Sequence, residues 1–137
     1  MAARQHPSVF QEYGVENTAR TLSAYQDVYV YRFEWKDEPS PFDLMMGAGH
    51  ALDLPFAFGN FITDHGSLFR FAWSDANQEG RESVSHAMMT YYAQFARSGV
   101  PNSPEDDLMD WPPWYSDDGE GNRMVFHAEQ AEVAQSR

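Results

Sequence analysis

Hydrophobic positions along the chain change period several times, and each change marks an element. Residues 28–35 read Val-Tyr-Val-Tyr-Arg-Phe-Glu-Trp, which places Tyr29, Tyr31, Phe33 and Trp35 on one face of a strand and Val28, Val30, Arg32 and Glu34 on the other. Between residues 82 and 98 the period lengthens: Val84, Ala87, Met88, Tyr91 and Phe95 fall on one helical face, and Gly99 with Pro101 supplies the stop. Nearer the start, Ser8 and Gln11 fit a capping box followed by Val15, Ala19 and Leu22, so a helix is expected within residues 9–25, although Gly14 lowers its propensity. Residues 51–58 suit a short helix with Pro55 near its start and Gly59-Asn60 at its end.

Between these elements the pattern breaks. Residues 36–41 carry two prolines and mixed charge, and residues 42–49 are Met- and Gly-rich, so the strand feeds a turn and then a closely packed loop. Residues 60–80 read as irregular surface and 101–110 as an acidic loop. Residues 111–115, Trp-Pro-Pro-Trp-Tyr, form a rigid aromatic segment, 117–121 a turn, and 124–126 a short strand. No internal repeat or low-complexity tract is present. The inventory lacks neighbours for its aromatic strand. A stable sheet needs about three or more strands with a covered face, so part of what surrounds residues 28–35 is expected to come from elsewhere.

The 137 residues fit one domain, and 42% hydrophobic with 15% aromatic content promises a core. A net charge of −12 repels phosphate, so neither nucleic acid nor a membrane surface is an expected partner. The absence of Cys removes disulfides, thiolate metal sites and cysteine nucleophiles, but leaves the compartment open. The first residues lack the apolar run of a signal peptide, and no stretch has the apolar length of a membrane span.

Chemistry concentrates in Gly47-Ala-Gly-His-Ala-Leu-Asp-Leu-Pro-Phe-Ala-Phe-Gly59. Gly47 and Gly49 let the backbone bend sharply around His50, which follows a strand and a loop, where an α/β sheet places its site. A neutral imidazole accepts a nucleophile's proton and later returns it to the leaving group, so His50 is a candidate general base. The same residue also fits a half-buried loop histidine satisfied by backbone groups.

From residue 28 onward the chain resembles the C-terminal part of type-B carboxylesterases, the carboxylesterase and cholinesterase family of α/β-hydrolases. The segment Gly49-His-Ala-Leu-Asp-Leu-Pro-Phe-Ala-Phe-Gly59 is similar to the family's histidine motif. Three further blocks match in the same order: residues 28–33 (Val-Tyr-Val-Tyr-Arg-Phe), residues 92–102 (Tyr-Ala-Gln-Phe-Ala-Arg-Ser-Gly-Val-Pro-Asn) and residues 111–115. Together they span roughly residues 20–127, and the last ten residues add nothing. The resemblance implies an incomplete α/β fold spanning residues 1–137, in which His50 is the base of a Ser, Asp or Glu, His triad. It implies hydrolysis of a small-molecule carboxylic ester, without metal or cofactor. No Gly-x-Ser-x-Gly elbow occurs here, so the nucleophile, the acid and the oxyanion hole are expected on the N-terminal remainder of the domain.

Asp53 is the nearest carboxylate to His50 in sequence. A triad acid must reach Nδ1 while Nε2 faces the nucleophile, a geometry that a residue three positions on rarely achieves. Gly49 and Asp53 therefore read as supports of the histidine turn, with Asp53 also suited to opening a helix. Phe56 and Phe58 have two open roles, lining an acyl or alcohol pocket or filling the core. Met45, Met46, Met88 and Met89 read as core, and Trp111 and Trp114 as packed side chains. Asp64, His65 and His86 lack metal-ligand spacing, and residues 117–121 lack a calcium loop's alternation. Two rival functions fit the same residues: a non-catalytic interaction module, as in adhesion relatives of the family, and a functionless fragment that aggregates through unpaired edges.

Overall fold

The computed structural model describes residues 11–39, 51–64, 66–67, 69–105, 107–114, 121–127 and 131–135. A π-helical turn at Gln11–Glu16 runs into helix α1, Asn17–Ser23. Strand β1 is Tyr31–Glu34, helix α2 Asp53–Phe58, helix α3 Gln78–Ser98, strand β2 Asn122–His127 and strand β3 Ala131–Gln135. The strands form one sheet in the order β1-β2-β3. β1 and β2 are parallel, with Tyr31 opposite Met124 and Glu34 opposite His127, whereas β2 and β3 are antiparallel, with Asn122 opposite Gln135.

The aromatic strand therefore has a neighbour after all. β2 extends beyond residues 124–126 at both ends, and Met124, Val125 and Phe126 are all buried. A strand covered on both faces shows no alternation, which hides it from a period-2 reading. β3 lies in the stretch that carried no expectation. β1 itself is shorter than residues 28–35, although its line continues upstream: the Trp114 N–H donates to the Val28 carbonyl at 2.7 Å and the Met124 N–H to the Val30 carbonyl at 2.9 Å.

α3 covers the aromatic side of the sheet. Val84, Ala87, Met88 and Tyr91 are buried as the spacing predicts, but Phe95 stays half exposed. The helix begins one turn before residue 82 because Asn77 organises its start. The Asn77 Oδ1 accepts from the Ser74 N–H (3.1 Å) and from Arg81 Nη1 (2.8 Å), while its Nδ2 donates to the carbonyls of Asp37 (2.8 Å) and Ala72 (2.9 Å). That added turn is polar, so hydrophobic spacing alone misses it. At the far end Gly99, at φ 79°, donates to the Phe95 carbonyl and closes the helix.

The described residues between 60 and 77 are irregular as expected, but they are not simply surface. Ala72, Trp73 and Asn77 are buried, Phe61 and Phe69 pack against the core, and the Arg81 guanidinium lies 5.0 Å above the Phe61 ring. Near the end of the described chain, Trp111 and Trp114 are buried. Asn102 holds Trp111 by both backbone groups, and the Tyr91 hydroxyl donates to the Met109 carbonyl at 2.6 Å. In the N-terminal helix only Ala19 of the apolar stripe is buried, while Val15 and Leu22 are exposed. A charged contact anchors it instead: Glu16 pairs with Arg123 of β2 at 2.7 Å. Ser8 of the expected capping box lies outside the described residues.

Candidate functional site

The region around the histidine motif is built on α2. This helix has only six residues, too few to be stable alone, so packing must set its place. Leu52 and Phe56 are completely buried, four residues apart and on one face. The Phe56 ring meets Phe33 at 5.0 Å, Trp35 at 4.8 Å and Phe61 at 5.1 Å between centroids. The Ser85 hydroxyl of α3 donates to the Phe56 carbonyl at 2.8 Å, satisfying an acceptor in the last turn. Gly59 then ends α2 at φ 62°, with the Met89 sulfur 2.9 Å from where a Cβ would stand. Met89 is thus a partly exposed contact over the turn, while Met88 is fully buried in the core.

At the other end of α2, Ala51 has φ 68°, a left-handed conformation that costs free energy in any residue with a Cβ. Its carbonyl accepts from the Leu54 N–H at 3.2 Å. Two residues on, Asp53 Oδ2 accepts from the Tyr31 hydroxyl at 2.7 Å. Tyr92 of α3 packs edge-on against the Tyr31 ring at 6.0 Å between centroids. Partial burial pushes the hydroxyl of Tyr31, whose side chain still reaches solvent, above its ordinary range. The neighbouring Tyr92 hydroxyl opposes that rise, and Asp53 reinforces it. Burial, together with the Tyr31 contact, pushes Tyr92 much further in the same direction. Both phenols remain protonated donors through the neutral range.

His50 and Gly49 lie outside the described residues, as do Met45, Met46 and His65. Asp53 sits in the first turn of α2 and is engaged with Tyr31. Phe56 occupies the core, while Phe58, 76% exposed, lines a cavity of about 280 Å³ with Leu54, Ile62 and Trp73. Asp64 and His86 are exposed, and no group of three or more metal-ligating side chains occurs among the described residues. No helix among them is long and apolar enough to cross a membrane. A second cavity, of about 300 Å³, opens beside Leu22, Tyr29, Phe95 and Trp111 and reaches Tyr31 and Tyr92. Sequence reasoning passed over these two tyrosines. The available signal was that the aromatic face of the strand carried hydroxyls; Tyr31 lies at its exposed end, 36% exposed, within reach of Asp53.

The carboxylesterase family pattern matches residues 4–136, wider at both ends than the motif blocks alone. Over 99 residues the chain is 31% identical to para-nitrobenzyl esterase of Bacillus subtilis, a match covering 72% of this chain and 18% of that protein. Human cocaine esterase is 36% identical over 87 residues, covering 61% of this chain and 14% of that one. A carboxylesterase of Geobacillus stearothermophilus superposes with a TM-score of 0.61 at 29% identity, covering 86% of this chain and 22% of that structure. The chain thus spans between 14% and 22% of the length of these relatives. It belongs to the carboxylesterase family, and its small sheet and flanking helices are a portion of the α/β-hydrolase fold.

Proposed function

We propose that residues 1–137 form the C-terminal part of one α/β-hydrolase domain that cleaves small-molecule carboxylic esters, and that His50 is its general base. In this reading His50 takes the proton of a serine hydroxyl as the serine oxygen bonds to the ester carbonyl carbon. It then passes that proton to the departing alcohol. A water molecule next loses a proton to the same imidazole, attacks the acyl-serine, and releases the acid with the serine hydroxyl restored. The nucleophile, the acid that orients the imidazole and the oxyanion donors reside on preceding polypeptide, because no Gly-x-Ser-x-Gly elbow occurs in these residues.

The observation that carries this reading is the turn at Ala51. The residue directly after His50 holds φ 68°, flanked by a fully buried Leu52 and an engaged Asp53. A left-handed residue with a side chain persists only where its surroundings over-determine it, and such residues cluster at functional sites. The esterase names of the relatives and the match of residues 4–136 support the reaction class. The test is His50→Ala in the complete hydrolase, with turnover of a short-chain nitrophenyl ester measured per folded molecule. The rate is expected to fall by about three orders of magnitude or more while the melting temperature holds. A variant that retains near wild-type turnover overturns the proposal.

A further inference from the structure

Three elements meet at one polar point on an otherwise apolar face: β1 through Tyr31, α2 through Asp53 and α3 through Tyr92. We infer that Tyr31 is a positioning residue, whose hydroxyl, by donating to Asp53, pins the first turn of α2 and the turn before it against β1. The inference rests on the reading of His50 as the base, since that turn leads directly from it.

Both ends of α2 are held by contacts from neighbouring elements. Its apolar anchors, Leu52 and Phe56, are completely buried and fix how deeply it packs. The Ser85 hydroxyl restrains its last turn. At its start the Ncap residue, Leu52, has no side-chain cap, so the Tyr31 bond to Asp53 is the polar restraint there. That bond also has a fixed sense. A carboxylate only accepts, so the Tyr31 proton lies in the bond to Asp53. The Tyr31 ring is itself held in edge contacts with Tyr92 at 6.0 Å, Trp111 at 6.3 Å and Phe126 at 6.0 Å. A rigid ring presenting a directed hydroxyl suits placing a neighbouring turn to within a fraction of an ångström. The left-handed Ala51 needs such an external hold, because its own backbone preference opposes it.

Tyr31→Phe in the complete hydrolase keeps every ring contact and removes only the hydroxyl. The expected result is a fall of about tenfold in kcat per titrated active site, with KM within a factor of about two and the melting temperature nearly unchanged. Asp53→Asn retains an acceptor and is expected to recover most of the rate. Asp53→Ala should match Tyr31→Phe, and the double variant Tyr31→Phe/Asp53→Ala should be no slower than either single one. Wild-type kcat in Tyr31→Phe, or losses that multiply in the double variant, overturns the positioning role. His50→Ala is measured in parallel to separate the two claims: if it abolishes turnover while Tyr31→Phe does not alter kcat, the base survives and the positioning role fails. If His50→Ala stays active, the base reading itself fails, and the positioning role falls with it.

Discussion

Ala51 and Gly121 show what single residues determine in this protein. Ala51 combines a side chain with φ 68°, a conformation that a branched Cβ disfavours further. Ala51→Val, with its branched Cβ, is expected to lose about 1–2 kcal/mol in denaturant unfolding, whereas Ala51→Gly should keep the wild-type midpoint or exceed it. Equal stability for the valine variant would mean that the turn does not hold its left-handed form. Gly121 is constrained by space rather than by φ. A Cβ there would stand 1.6 Å from the Trp114 indole nitrogen, and Trp114 is almost fully buried. Gly121→Ala must displace that indole, at an expected cost of about 3 kcal/mol, visible as a lowered melting temperature. The sequence displays both residues openly, yet neither constraint is legible without coordinates. Asp53 is the intermediate case: its helix-opening place was readable, but its acceptance of the Tyr31 hydroxyl depends on a partner 22 positions away in the chain.

Among the elements, α3 was the most legible because its apolar face repeats over several turns, enough to exceed any accident of composition. Its first turn was not, since Asn77, Gln78 and Arg81 earn their places by hydrogen bonds rather than by periodicity. α2 depends on the core: Phe56→Ala is expected to cost about 3–5 kcal/mol, since it empties the point where β1, α2 and the 60–77 segment converge. The pairing of β1, α2 and α3 through tyrosine hydroxyls also predicts a response to alkali. Tyr31 and Tyr92 both have their ionisation raised above the ordinary value of 10.0, so the unfolded chain releases these protons at a lower pH than the fold does. Their contribution is fully present below pH 10.0 and declines as pH rises beyond it. Denaturant midpoints of the wild type should therefore fall above about pH 10, and Tyr31→Phe/Tyr92→Phe should flatten that limb.

Across the whole molecule, one ion pair joins the first described segment to the sheet. Arg123 and Glu16 are separated by 107 positions and are mostly buried, with side chains 7% and 15% exposed. Glu16→Ala would strand the guanidinium in a poorly hydrated place, and a loss of about 3–5 kcal/mol is expected by thermal unfolding. A second expectation concerns completeness. β1 pairs with β2 on one side and has no strand on its other side among the described residues, with Tyr25, Phe58 and Phe95 among the exposed apolar side chains. The isolated chain should hydrolyse no nitrophenyl ester and should self-associate in size-exclusion chromatography through such surfaces. A serine-dependent rate from it would mean that a nucleophile resides within these 137 residues. Local pattern by itself determined the aromatic strand, the long helix, the short helix after the Gly-rich loop and the burial of both tryptophans near residue 111, because each is written in side chains adjacent in sequence or repeated at a fixed period. Tertiary structure alone decided the partner of the aromatic strand, the tucking of residues 60–77 into the core, the salt bridge to Glu16 and the convergence of Tyr92, Tyr31 and Asp53. Those arrangements unite groups far apart along the chain, through apolar packing in the core and through the pairing of polar groups, at contacts that no local window contains.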